Sequence, residues 1–191
     1  MHNLLKAPKF RVVLAALGIL YPFLVYFGLG HFPPSALVLA LLAVFALKLV
    51  LDRHSGPRHE PMTLLLCLLG GAVLLVLMIA VSPLVALKSY PVLVSLGFAA
   101  VFSASLLWPP TIVERIARLR DPDLPASAIP YLRRVTLAWL VFFFVNAAIS
   151  TATALSGSVA LWTLYNGFIS YVIMGALFAG ELIVRFYLNP G

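Results

Sequence analysis

The sequence predicts an all-α protein, a polytopic membrane bundle of six transmembrane helices with a short amphipathic interfacial helix between spans four and five. Three observations predict it. Of the 191 residues, 63% are hydrophobic and only 10% charged, whereas a soluble domain is about 25% charged. The apolar residues fall into six runs, each near the roughly 20 residues that carry a helix across a bilayer. The basic residues gather in alternate connections, as they do where positive charge marks the cytoplasmic side. The length fits a single integral membrane domain, 1–191.

The first run, about 12–29, follows Lys6, Lys9 and Arg11. This opening resembles the basic and apolar regions of a signal peptide, and Gly28-Leu29-Gly30 is a cleavage-like triplet. We read it as a retained span, because it is long for a signal's apolar region and contains Tyr21, Pro22 and Tyr26. A cleaved first helix remains the alternative. Pro22 predicts a kink, and Gly30 to Pro34 a turn. The second span is about 35–51, with Lys48 able to snorkel from its end. A polar loop over 52–61 leads to the third, about 62–81. Gly70-Gly71 at its middle allows close helix approach, and Ser82-Pro83 ends it. The fourth span, about 89–107, carries Ser95, Gly97, Ala99, Ser103 and Ser105, which suit a bundle interior.

The longest loop, 108–134, opens with Pro109-Pro110. Thr111 and Glu114 fit a capping box. Ile112, Val113, Ile116 and Leu119 then recur at helical spacing, with Arg115, Arg118 and Arg120 on the other side. That pattern predicts a helix lying on the membrane surface, with Glu114 and Arg118 spaced as an i,i+4 pair. The fifth span is about 135–155, with Thr136, Trp139, Phe143, Asn146, Ser150 and Thr153 along one stripe. The sixth is about 161–186. Asn166, Ser170, Leu177, Glu181 and Arg185 share one of its faces, which should turn away from lipid.

Orientation follows from charge. Of the 13 Lys and Arg residues, all but Lys88 fall on the side of the 52–61 and 108–134 loops. That side and both termini are predicted to be cytoplasmic. The net charge of +7 then suits anionic lipid head groups, and no nucleic-acid partner is expected. His2, His31, His54 and His59 are assigned to loops without a metal-ligand spacing. Cys67 is the single cysteine, so neither an internal disulfide nor a cysteine metal cage can form. No metal and no cofactor is expected. No phosphate loop, zinc-protease, nucleophile-elbow or dinucleotide motif occurs, so no catalytic residue is assigned.

The candidates for function are polar groups at membrane depth. Asn146 and Asn166 either pair across spans five and six as ordinary packing, or line a polar site together with Tyr165. Glu181 either pairs with Arg185 one turn on, or binds head groups or protons, with Arg133 and Arg134 at the same level. Lys88 beside Tyr90 either anchors span four at the interface or binds a lipid phosphate. Arg115 and Arg118 are read as an electrostatic tether.

Several runs resemble known bacterial inner-membrane families. Arg133-Arg134, Leu137-Ala138-Trp139 and Phe142-Phe143 are similar to the segment opening the penultimate span of the intracellular septation protein A family. Lys88 with Pro91, and Trp162, occupy similar places. The resemblance implies a small multispan protein of cell-envelope biogenesis, envelope integrity and septation. It departs at Asn146, at Tyr165-Asn166-Gly167, and at Glu181, which replaces a neutral polar residue. Those positions are similar to a related membrane family found beside the ketosynthases and acyltransferases of aryl-polyene lipid synthesis. Its Lys-x-Tyr-Pro, Pro-x-x-Ile/Val-Glu-Arg and Trp-x-Leu-Tyr-Asn-Gly runs are met here at Lys88, at Pro110 to Arg115, and at Trp162 to Gly167. Together these readings lead to a non-enzymatic inner-membrane protein of envelope or lipid assembly, with membrane lipids and envelope-assembly membrane proteins as partners. A lipid or acyl-chain transporter, or the membrane subunit of a lipid-modifying transferase, is the alternative.

Overall fold

Prolines open the helices. A computed structural model describes residues 20–54 and 61–188, except for side chains at 45, 48–54, 61–64, 66–67, 120 and 186–188. Among the described residues all regular structure is helical. A segment over 20–28 (α1) is followed by α2 (Pro34–His54), α3 (Pro61–Ala80), α4 (Pro83–Leu107) and α5 (Ile112–Arg120). A 3-10 turn (Ala126–Ala128) leads into α6 (Ile129–Leu155). Then come α7 (Val159–Leu164), a π-helical turn (Tyr165–Ile169) and α8 (Ser170–Leu188). Pro34, Pro61 and Pro83 stand at first helical positions, where a fixed φ is favourable and the missing N–H would have no partner anyway.

These starts correct the predicted boundaries. Ser82 caps α4, its Oγ accepting the Val85 amide at 3.2 Å. The helix therefore begins at Pro83 rather than 89, and Lys88, Ser89, Tyr90 and Pro91 lie inside it. The second span runs on to His54, so His54 is helical and not in a loop. Arg133 and Arg134 lie in the first turns of α6, ahead of the predicted start at 135. Among the described residues a Cβ at Gly70 would meet nothing within 4 Å, and one at Gly71 would touch the end of the Leu42 side chain of α2 at 4.0 Å. The N-terminal part of the first run, the loop residues 55–60 with His59 and Glu60, and the tail 189–191 lie outside the described residues.

Among the described residues three helices are long and apolar enough to cross a membrane: Pro83–Leu107 (25 residues), Ala126–Leu155 (30) and Val159–Arg185 (27). The described parts of α2 and α3 contribute shorter apolar stretches, Pro34–Val44 and Leu68–Ala80.

The chain divides into two compact units. The first comprises Met1–Pro91 with Ser150–Phe168, and the second Val92–Ile149 with Ile169–Gly191. The first unit has a core of Tyr21 and Val25 from α1, Val38 from α2, Ala86 and Leu87 from α4, and Trp162 from α7. In the second, Phe143 of α6 stacks on Phe98 of α4, with centroids 5.1 Å apart and planes at 14°, and meets Phe102 edge-on. Trp139 and Phe142 extend this cluster.

Polarity is inverted in both units. Leu39, Val76 and Ile79 of the first, and Phe144, Val172 and Phe178 of the second, are exposed. The buried positions include Lys88, Ser150, Thr153 and Asn166 in the first, and Ser95, Thr136, Asn146 and Ser170 in the second. Apolar area turned outward at this scale marks a surface made for a non-aqueous neighbour.

Candidate functional site

The best-built polar site lies in the first unit, around the proline inside α4. Pro91 has no N–H, so the Leu87 carbonyl one turn earlier loses its helical donor. The Tyr21 hydroxyl from α1 supplies the replacement at 2.9 Å. The next carbonyl, that of Lys88, accepts the Trp162 indole N–H from α7 at 3.1 Å. Two other elements thus donate to the opened turn. The rings that do so also touch. Tyr21 lies 4.3 Å from Tyr90 and 6.3 Å, edge-on, from Trp162. Each ring places an apolar body in the core and a polar tip on the backbone.

Lys88 is buried, with 4% of its surface exposed. Its Nζ reaches the Ala154 carbonyl in the last turn of α6, at 3.4 Å. A helix C-terminus carries unmatched carbonyls and partial negative charge, so a cation there is favourable. The distance is long for an N–H···O bond. The expected interfacial anchor is therefore an enclosed group, because α4 starts a turn and a half earlier than the apolar run suggests.

Beyond Lys88 the end of α6 and the start of the last helical stretch are joined by hydroxyls and an amide. Ser150 Oγ donates to Asn166 Oδ1 at 2.6 Å. Asn166 Nδ2 donates to Thr153 Oγ1 at 3.3 Å and to the Trp162 carbonyl at 2.9 Å. Thr153 Oγ1 returns to the Ser150 carbonyl at 2.9 Å. Asn166 stands in the π turn, a helical irregularity that recurs at functional sites. Gly167 in the same turn lets the Phe23 ring of α1 approach, since a Cβ there would lie 2.8 Å from Cε2. Tyr165 is also buried in this turn. One buried side-chain oxygen, Thr163 Oγ1, has no hydrogen-bond partner among the described residues.

The second unit holds the other candidates. Asn146 Nδ2 donates to Ser95 Oγ at 2.9 Å. Glu181 Oε1 accepts from Arg185 Nε at 3.0 Å and from Nη2 at 2.5 Å. Tyr131 Oη donates to the Glu181 carbonyl at 3.4 Å. Arg133 and Arg134 are exposed, and among the described residues they form no ion pair, so the expected group of four reduces to the Glu181–Arg185 pair. In α5, Thr111 Oγ1 accepts the Glu114 amide at 3.3 Å, which is the hydroxyl half of the predicted capping box. The Glu114 carboxylate goes to Arg118 instead, at 3.0 and 2.9 Å. Arg115 Nε donates to the Pro110 carbonyl at 2.9 Å.

Tyr21, Trp162 and Tyr131 were not singled out as site residues from the sequence. The signal for Tyr21 was present: a proline four residues beyond Leu87 demands an outside donor. No family model, curated protein or solved structure matches the chain.

Proposed function

We propose that this chain is a non-enzymatic, six-span protein of the bacterial inner membrane, with both termini cytoplasmic. It contributes to envelope or lipid assembly through helix contacts and head-group binding. The observation that carries this reading is the inversion of polarity: aliphatic and aromatic side chains outward, amides and hydroxyls inward. A molecule so built has the bilayer as its solvent, and lipid as its nearest partner. α5 serves as an interfacial helix, since Ile116 and Leu119 are exposed at 60% and 87% while Glu114 is buried. Arg115 is exposed beside them, in reach of anionic head groups worth about 1 kcal/mol per basic residue. The similarity to the septation protein A and aryl-polyene-associated families supplies the envelope and lipid setting.

A second reading, a lipid or acyl-chain transporter or a transferase subunit, is favoured by the π turn and the buried polar groups around Asn166. Native mass spectrometry of the gently extracted chain tests both, because it reports bound lipid and partner chains together. Co-purifying phospholipid and envelope proteins are expected under the first reading. Reporter fusions that place the 108–134 segment outside the cytoplasm would overturn the topology. Envelope integrity and partner recovery untouched by both Glu181→Gln and Arg185→Ala would remove the Glu181–Arg185 pair from the function.

A further inference from the structure

We propose that Tyr131, Glu181 and Arg185 form a head-group site for a phospholipid that carries an amine as well as its phosphate. The inference rests on reading the chain as lipid-embedded, and it names the ligand class for the Glu181–Arg185 pair.

All three residues belong to the second unit. Tyr131 stands in the first turn of α6, and its hydroxyl donates to the Glu181 carbonyl at 3.4 Å. The same hydroxyl feels the charges of the Glu181 carboxylate and the Arg185 guanidinium. The start of α6 and the end of α8 therefore lie at one level. The helical stretches that carry them, Ala126–Leu155 and Val159–Arg185, are 30 and 27 residues long, about 45 and 40 Å. Both exceed the hydrocarbon core of about 30 Å, so an end of each reaches the head-group layer. The basic residues mark which end: Arg133 and Arg134 in the first turns of α6, Arg185 in the last turn of α8.

The ligand class follows from how the pair is made. Arg185 Nε and Nη2 both donate to Glu181 Oε1, so their bonds use neither Oε2 nor Nη1. A guanidinium has five N–H donors and a carboxylate two acceptor oxygens. The Arg185 side chain is 41% exposed, which opens its other donors to a ligand from outside. Phosphate oxygens match a guanidinium in geometry and charge. The pair has no net charge, however, so it attracts a plain anion weakly. It is a fixed dipole, and a head group with both a phosphate and an ammonium complements it. The phosphate goes to Arg185. The ammonium goes to Glu181 Oε2 and to the lone pairs of Tyr131 Oη. The Glu181 side chain is only 9% exposed, so water screens this contact little and a small donor is favoured. A choline head group has no N–H to give that oxygen, and a glycerol head group has no cation.

The test uses the full chain in phosphatidylcholine vesicles holding equal amounts of phosphatidylethanolamine and phosphatidylglycerol. Retained lipid is read by native mass spectrometry after gentle extraction. The wild type should retain the ethanolamine lipid over the other two by about tenfold. Glu181→Gln should bring ethanolamine and choline lipids level, and Tyr131→Phe should cut the preference about threefold. Three results overturn the proposal: equal retention of ethanolamine and choline lipids by the wild type, a preference for phosphatidylglycerol, or an unchanged preference in Glu181→Gln. The pair is then structural alone. If Glu181→Gln does not fold, the wild type decides with a dimethylethanolamine lipid, which keeps one N–H. That lipid should be retained over the choline lipid, and equal retention overturns the site. Lipid bound without head-group preference would leave the lipid-embedded reading standing. Reporter fusions that inverted the topology would leave the preference standing.

Discussion

A hydroxyl and an indole N–H hold the α4 turn that Pro91 opens, and each can be removed with little change of shape. Tyr21→Phe leaves the Leu87 carbonyl buried without its donor. The expected loss is about 1–3 kcal/mol of unfolding free energy, read by denaturant titration in detergent. Trp162→Phe should cost a similar amount, and the double variant less than the sum, because both act on one turn. The Glu181–Arg185 pair should be asymmetric. The Arg185 side chain is 41% exposed and that of Glu181 only 9%. Arg185→Ala leaves an enclosed carboxylate unpaired, whereas Glu181→Gln leaves an arginine that water can reach. We expect Arg185→Ala to be the more destabilising in the same titration, and the double variant to resemble Glu181→Gln.

The helices show where sequence periodicity is informative and where it fails. The stripe Thr136, Trp139, Phe143, Asn146, Ser150 and Thr153 was legible from spacing alone; five of the six are buried and Trp139 is half-buried. The apolar runs gave helix existence but not helix starts. A run marks where lipid-soluble residues lie, whereas Ser82 and the prolines mark where the backbone begins to coil, so Lys88 was placed outside a helix that contains it. The π turn was not legible either, since its extra residue per turn leaves no compositional trace. The α6–α7 connection depends on Gly157, which adopts φ +78° after the end of α6. Gly157→Ala should cost about 1 kcal/mol, checked by thermal unfolding, with no steric clash to relieve. Gly167→Ala meets a different obstacle, the Phe23 ring. Its cost should therefore shrink when Phe23 is replaced by Leu, a coupling measurable in a double-mutant cycle.

For the molecule as a whole, the outward face is the one the bilayer must accept. Phe178 is exposed on α8. On a protein surrounded by water, Phe178→Lys would be neutral or improve solubility. In a lipid-facing helix it should lower insertion by about 2.5–3.5 kcal/mol, read by protease protection or glycosylation mapping of the inserted fraction. An unchanged fraction would mean that α8 does not face acyl chains. The all-helical class and the inward turn of the polar residues were within reach of composition and spacing. The partners of those residues were not, since Ser95 with Asn146, and Tyr21 with Leu87, lie 51 and 66 positions apart.

The bond from Tyr21 to the Leu87 carbonyl bears on the opening segment too. Trimming the chain after Gly30 would do more than shorten it. The cut would strip Leu87 of its outside donor, take the Phe23 ring off Gly167, and withdraw Val25 from the core beside Trp162. Residues 20–29 thus act as a strut for helices more than 50 residues downstream.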